Sequence, residues 1–142
     1  MNVKADFERV ENRVADGTPD VDYCVSGVSG KIELKYAPKH PVRSSTPVLG
    51  NDKGFRKSQI AWAVRRCFNG GIVFACIGTD VCTWFIDLRG WEARAIKNLD
   101  LMTSNDLDNC SVWSTGKNPL LLPGLLCYTG AANSPPAKDQ FS

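Results

Sequence analysis

Two short runs of alternating polarity, Asp20-Val21-Asp22-Tyr23-Cys24-Val25 and Lys31-Ile32-Glu33-Leu34-Lys35-Tyr36, flank the small-residue stretch Ser26-Gly27-Val28-Ser29-Gly30. A period of two is the pattern of a strand, and Ser/Gly clusters supply turns. The spacing predicts a β-hairpin with its turn over 26–30. Residues i and i+2 of a strand point the same way. Glu33 and Lys35 therefore share one face, and Ile32, Leu34 and Tyr36 the other. Asp20 opens the first strand, where a hairpin brings its carboxylate beside Glu33.

The elements around this hairpin read as follows. Residues 5–15, ADFERVENRVA, carry Phe7, Val10 and Val14 at helical spacing, which predicts a short helix. Gly17-Thr18-Pro19 breaks it. Residues 37–55 hold three prolines and two glycines and form a long loop, a kind of segment that is usually functional or mobile. Residues 56–69 are the best helical pattern, with Ile60, Val64, Cys67 and Phe68 on one stripe and Gly70 as the stop signal. GIVFACIG, 71–78, is a continuous apolar run suited to a buried strand, and 81–88 supply its hairpin partner. Residues 90–128 carry weaker signals: a short helix and irregular segments around Trp91, Trp113 and the LLLPGLL stretch. One domain is expected over 1–128, with a core at 5–88 and an extension at 89–128. The small, polar, Pro-containing segment 129–142 is expected to be a flexible tail.

Composition narrows the class. A chain of 142 residues suits one domain, and 43% hydrophobic with 23% charged residues is ordinary for a globular protein. No apolar run approaches the roughly 18 residues of a membrane helix, and the opening MNVKADFERVENRV lacks the apolar core of a secretory signal. The expectation is a cytoplasmic protein with no membrane partner. Six cysteines, at 24, 67, 76, 82, 110 and 127, form no CxxC pair, and His40 is remote from them. They read as reduced thiols rather than as a zinc site. Charge is uneven: residues 31–66 hold nine basic and two acidic groups, hence +7 against a whole-chain +2. That window is suited to a polyanion, although a solvated helix face would carry the same charges.

Two carboxylates held close, here Asp20 and Glu33, repel unless a cation lies between them. Hard oxygen ligands suit Mg2+ (or Mn2+), which keeps several waters and pairs with phosphate. An ammonium beside such a site, Lys35, suits a water that must be oriented and deprotonated, the reaction a bound metal assists by lowering that water's pKa.

Pro19-Asp20, followed by Glu33-Leu34-Lys35 with Glu33 thirteen positions after Asp20, resembles the signature of the PD-(D/E)xK nucleases. Gln59-Ile60-Ala61-Trp62 on the next helix is similar to the QxxW-like helix of the virus-type replication-repair branch. Arg9-Val10-Glu11-Asn12, Gly17-Thr18-Pro19-Asp20-Val21 and Glu33-Leu34-Lys35 look most like phage-encoded members. The resemblance covers residues 8 to about 78. Residues 90–142 match nothing in the pattern, and leave open an added substrate-binding or dimerisation element.

This resemblance implies a restriction-endonuclease-like α/β core, a central mixed sheet flanked by helices. It implies a metal held by Asp20, Glu33, the main-chain carbonyl of Leu34 and a helical acid, with Glu11 favoured over Glu8. Lys35 would position or activate water, and Gln59 would stand near the phosphate or the lysine. Lys39, His40, Arg43, Lys53, Arg56, Lys57, Arg65 and Arg66 would meet DNA. The implied activity is metal-dependent endonucleolytic cleavage, structure-selective as in a junction resolvase, by a homodimer acting in phage replication, recombination or repair. A sequence-specific homing or restriction-type endonuclease, a non-catalytic DNA-binding module on the same fold, and a structural or inhibitory viral protein remain alternatives. Each residue also has a plainer use: a surface ion pair for Glu33 and Lys35, a helix-surface position for Gln59, a core position for Trp62, and an exposed loop position for His40.

Overall fold

The computed structural model describes residues 4–10, 17–50 and 52–130. The strands β1 (Ala5–Arg9), β2 (Val21–Val25), β3 (Val28–Tyr36), β4 (Val73–Gly78), β5 (Thr83–Asp87) and β6 (Trp113–Ser114) form one sheet in sequence order. All neighbours are antiparallel except β3 and β4. That parallel pair requires a crossover, which the loop 37–56 and helix α1 (Lys57–Phe68) provide. Three further short helices follow: α2 (Ala93–Asn98), α3 (Ser104–Cys110) and α4 (Leu122–Leu126). The expected α/β class and mixed sheet with flanking helices are present.

The β2–β3 hairpin turns on two residues rather than five. Ser26 and Gly27 both have positive φ, 50° and 81°, the geometry of a two-residue turn whose twist matches the strands it joins. Val28, Ser29 and Gly30, expected in the turn, belong to β3 and pair with Val25, Cys24 and Tyr23. The expected helix over 5–15 is likewise corrected. Its described part, Ala5–Arg9, is an edge strand antiparallel to β2. Pairing with the open edge of β2 and the contact of Phe7 with Tyr23, 6.3 Å between ring centroids, override a weak helical stripe.

Each face of the sheet has its own core. On one, Val73, Ala75 and Ile77 of β4 and Trp84 and Ile86 of β5 lie under Ile60, Trp62 and Ala63 of α1, Ile96 of α2 and Leu107 of α3. Trp62 is thus a core residue. Trp84 keeps its indole N–H satisfied by donating to Asp108 Oδ1 at 2.8 Å. On the other face, Tyr23, Val25, Ile32 and Phe74 pack with Leu126 of α4. The Tyr23 hydroxyl donates to the Leu126 carbonyl at 2.8 Å. Residues 89–128 therefore close both layers. Phe68, placed by its spacing on the buried stripe of α1, is 89% exposed. The cysteines are six free thiols. Among the described residues no helix is long and apolar enough to cross a membrane.

Candidate active site

Glu33 and Lys35 lie on the α1-covered face of β3, in register with Ala75 and Ile77 of β4. A carboxylate there is surrounded by core: Glu33 is 4% exposed. Burial raises its pKa from 4.5 to about 7; the charge of Asp20 adds to the rise, and Lys35 opposes it. The two-residue turn sets Asp20 where it acts. Asp20 and Glu33 are each six residues from Ser26-Gly27, so extending the β2–β3 register by one pair beyond Val21↔Ile32 puts them opposite each other. The Asp20 Oδ2 accepts a hydrogen bond from the Leu34 backbone N–H at 3.1 Å, which ties the carboxylate to the Glu33-Leu34-Lys35 segment.

Gly17 lets the chain reach that position. Its φ is +87°, and a Cβ there would lie 2.3 Å from the Ser58 carbonyl oxygen. Only glycine allows residues 17–20 to lie this close to the first turn of α1.

Gln59 joins the parts. Its Nε2 donates to Glu33 Oε1 at 2.7 Å. Its Oε1 accepts from Lys35 Nζ at 2.8 Å and from the Arg56 backbone N–H at 2.9 Å. The second bond is an N-terminal cap of α1 made from the third helical position. Reversing the amide would place its NH2 against two donors, so this network fixes its orientation. Lys35 Nζ also lies 3.6 Å from Glu33 Oε1 and 5.2 Å from the centroid of the Phe55 ring. Phe55 is itself held: its N–H donates to Asp100 Oδ1 at 2.9 Å, and its carbonyl accepts from Lys97 Nζ at 2.9 Å. Lys97 and Asp100 Oδ2 pair at 2.7 Å. Sequence reasoning missed Phe55, Lys97 and Asp100. Partners 42 and 45 residues apart leave no local pattern.

One oxygen of the site has no partner among the described residues: Glu33 Oε2 is buried and accepts no hydrogen bond from them. Such an atom costs ~1–3 kcal/mol unless something else meets it. A divalent cation between Glu33 and Asp20 would do so, with the Leu34 carbonyl as the expected third oxygen. Among the described residues no three His, Cys, Asp or Glu side chains converge. So small a protein donor set does not suit zinc, which takes three or four nitrogen or sulfur ligands. It fits Mg2+, which retains water in most of its positions.

The remaining candidates fall in several places. Glu11 lies outside the described residues. Glu8 stands exposed on β1, opposite Asp22; the helical face that it was to share with Glu11 is absent at Glu8, because β1 is a strand. Asp22 pairs with Lys31 at 3.2 Å. His40 Nδ1 is 3.1 Å from Thr79 Oγ1, and its ring stacks on Trp84 at 6.1 Å, so the loop folds back onto the sheet here. Lys39, Arg43, Lys53 and Arg56 are exposed on the loop joining β3 to α1. Arg56 is near enough to Glu33 to favour its charged form. The Arg66 guanidinium lies over the Trp62 ring at 4.5 Å. Lys57 and Arg65 border a groove beside α2. No protein-family model matches the chain, and no curated protein is significantly similar to it.

Proposed function

We propose that the chain is a metal-dependent DNA endonuclease, structure-selective for branched or junction DNA, that works as a homodimer on a restriction-endonuclease-like core. The observation that carries this reading is Asp20, hydrogen-bonded to the Leu34 backbone opposite a buried Glu33 whose Oε2 has no partner among the described residues. Asp20 and Glu33 would hold Mg2+ or Mn2+. When bound, the metal lowers the pKa of a coordinated water and neutralises charge building on the phosphorus oxygens.

The chain's own groups do the rest. Gln59 holds Lys35 Nζ and Glu33 in one polar network. Lys35, with its side chain only 12% exposed, orients the attacking water. Exposed Lys39, Arg43, Lys53 and Arg56 supply phosphate contacts that are independent of base sequence. No helix-turn-helix unit stands among the described residues to read bases, which favours selection by DNA shape. Cutting both strands of a duplex or junction takes two such sites and hence two chains.

The test is cleavage of linear duplex, flap and four-way-junction DNA, with Mg2+ and with EDTA, by wild type and Lys35→Ala. The expected result is metal-dependent cutting of the branched substrates by wild type alone. Full activity in Lys35→Ala at unchanged stability refutes the mechanism. Binding without cutting in every lane makes the chain a DNA-binding module. Discrete bands from plasmid DNA move the assignment to a sequence-specific enzyme, and a 15.6 kDa species in light scattering refutes the dimer.

A further inference from the structure

Helix α1 has a second side. Lys57 and Gln59 are about 200° apart around it, so the face that begins at Lys57 looks away from the polar network. On that face an open groove of about 680 Å³ runs between α1 and α2. Its floor is hydrocarbon from Ile60, Val64 and Phe68, and Phe68 is 89% exposed at the end of the stripe. Its rim is Lys57, Arg65 and Arg94, beside Lys97 whose ammonium is already paired with Asp100, and no carboxylate is among the described lining residues.

A well-solvated helix face seldom combines a bare apolar stripe with charge of one sign. Three occupants differ in how they meet that combination. A second copy docked symmetrically would set the cationic rim against itself, and like charges in an interface are repulsive. A nucleic-acid backbone would satisfy the rim, but Phe68 is the one aromatic ring among the described lining residues, and Ile60 and Val64 offer bases no stacking platform. A helix with an apolar stripe flanked by Asp and Glu satisfies both at once. The stripe from Lys57 to Phe68 is about 16 Å long, the rise of three turns.

We propose that this groove docks an acidic amphipathic helix of a partner protein. The helix places apolar side chains at i, i+4 and i+7 over Val64 and Phe68, and its carboxylates meet Arg94, Arg65 and Lys57. Gln59 stays uncovered, so a docked partner and the candidate active site can be occupied together. The proposal does not depend on the nuclease reading.

The probe is a fluorescein-labelled helical peptide of about 15 residues, with leucines at that spacing and glutamates alongside, against a scrambled peptide of the same composition. Fluorescence anisotropy should show saturable binding that weakens at least about tenfold with the scrambled peptide, with Arg94→Glu and with Phe68→Asp, and that falls with added salt. Both variants alter exposed side chains, and circular dichroism confirms their fold. No saturation up to about 1 mM peptide, or equal binding of the scrambled peptide, overturns the proposal. So does displacement of the peptide by single-stranded DNA, which would make the groove a nucleic-acid site. A doubled mass in light scattering that Phe68→Asp restores to one chain would make it a self-interface and overturn the proposal as well.

Discussion

Glu33→Gln should stabilise the metal-free protein, and the gain should grow with pH. In the folded chain the Glu33 pKa is raised from 4.5 to about 7 by burial first and by Asp20 second. A raised folded-state pKa means that folding favours the protonated carboxyl. That contribution is fully present below about 4.5 and is lost as pH rises through about 7. Above that, the folded state holds a desolvated charge that the unfolded state hydrates. At about 1.4 kcal/mol per pH unit, the whole span is on the order of 3 kcal/mol. Glutamine keeps the shape and still accepts from Gln59 Nε2, but its amide nitrogen falls where Oε2 has no partner. That unsatisfied group returns about 1 kcal/mol. The expected net gain at pH 8.5 is therefore ~2 kcal/mol, whereas at pH 4.5 only the amide's loss of about 1 kcal/mol remains. Urea unfolding in EDTA at both pH values reads it directly through the midpoint. Equal stability changes at the two pH values would show that Glu33 is solvated as an ordinary surface carboxylate, and the argument for a metal at its free oxygen would go with it. Added Mg2+ should stabilise wild type and not Glu33→Gln, because binding to the folded state alone raises its stability.

Three further outcomes are expected. Gln59→Leu leaves Lys35 and the Arg56 N–H without their shared acceptor. It should lower stability by ~1–3 kcal/mol in urea unfolding and abolish metal-dependent cleavage. Asp100→Ala frees the Phe55 N–H and Lys97, and should lose ~2–3 kcal/mol while reducing cleavage through Phe55, which touches Lys35. The thiols of Cys76 and Cys110 are pushed by burial from 9.0 to about 11 and about 12. Both contribute stability below pH 9 that is lost as pH rises toward those values. The Cys76→Val, Cys110→Val protein should show a flatter loss of stability between those pH values in thermal melts.

The pairing of Asp20 with Glu33 shows what the sequence carried and what it hid. The stretch VSGVSG offers two Ser-Gly dipeptides as turns, and local chemistry does not choose between them. A turn at Ser29-Gly30 would set Asp20 opposite Lys39, far from Glu33. Packing makes the choice. Gly30 must lie under Tyr23, since a Cβ there would be 2.3 Å from the Tyr23 hydroxyl oxygen. With Tyr23 locked over Gly30 by register, only Ser26-Gly27 remains to turn the chain. Period-two alternation was therefore enough to find both strands and the shared face of Glu33 and Lys35. The register that places Asp20 depended on a tertiary contact.

The same division explains the first strand and the clamp behind Lys35. The stripe Phe7, Val10 and Val14 expected over 5–15 is too short to outweigh the open edge of β2 at residues 5–9, because isolated helices of this length gain little from their own hydrogen bonds. Gln59 was visible, three residues before Trp62 on a helix with a clear stop. The groups around it were visible only in part. Glu33 and Lys35 share a strand, whereas Asp100 and Lys97 come from segments with no sequence signature of their own. They hold Phe55 from behind, so the ammonium that faces the candidate site rests on a ring fixed by the far end of the chain. Residues 89–128 are therefore tied to the site through Phe55, which is why Asp100→Ala should be felt at Lys35 although no atom of Asp100 is among Lys35's partners.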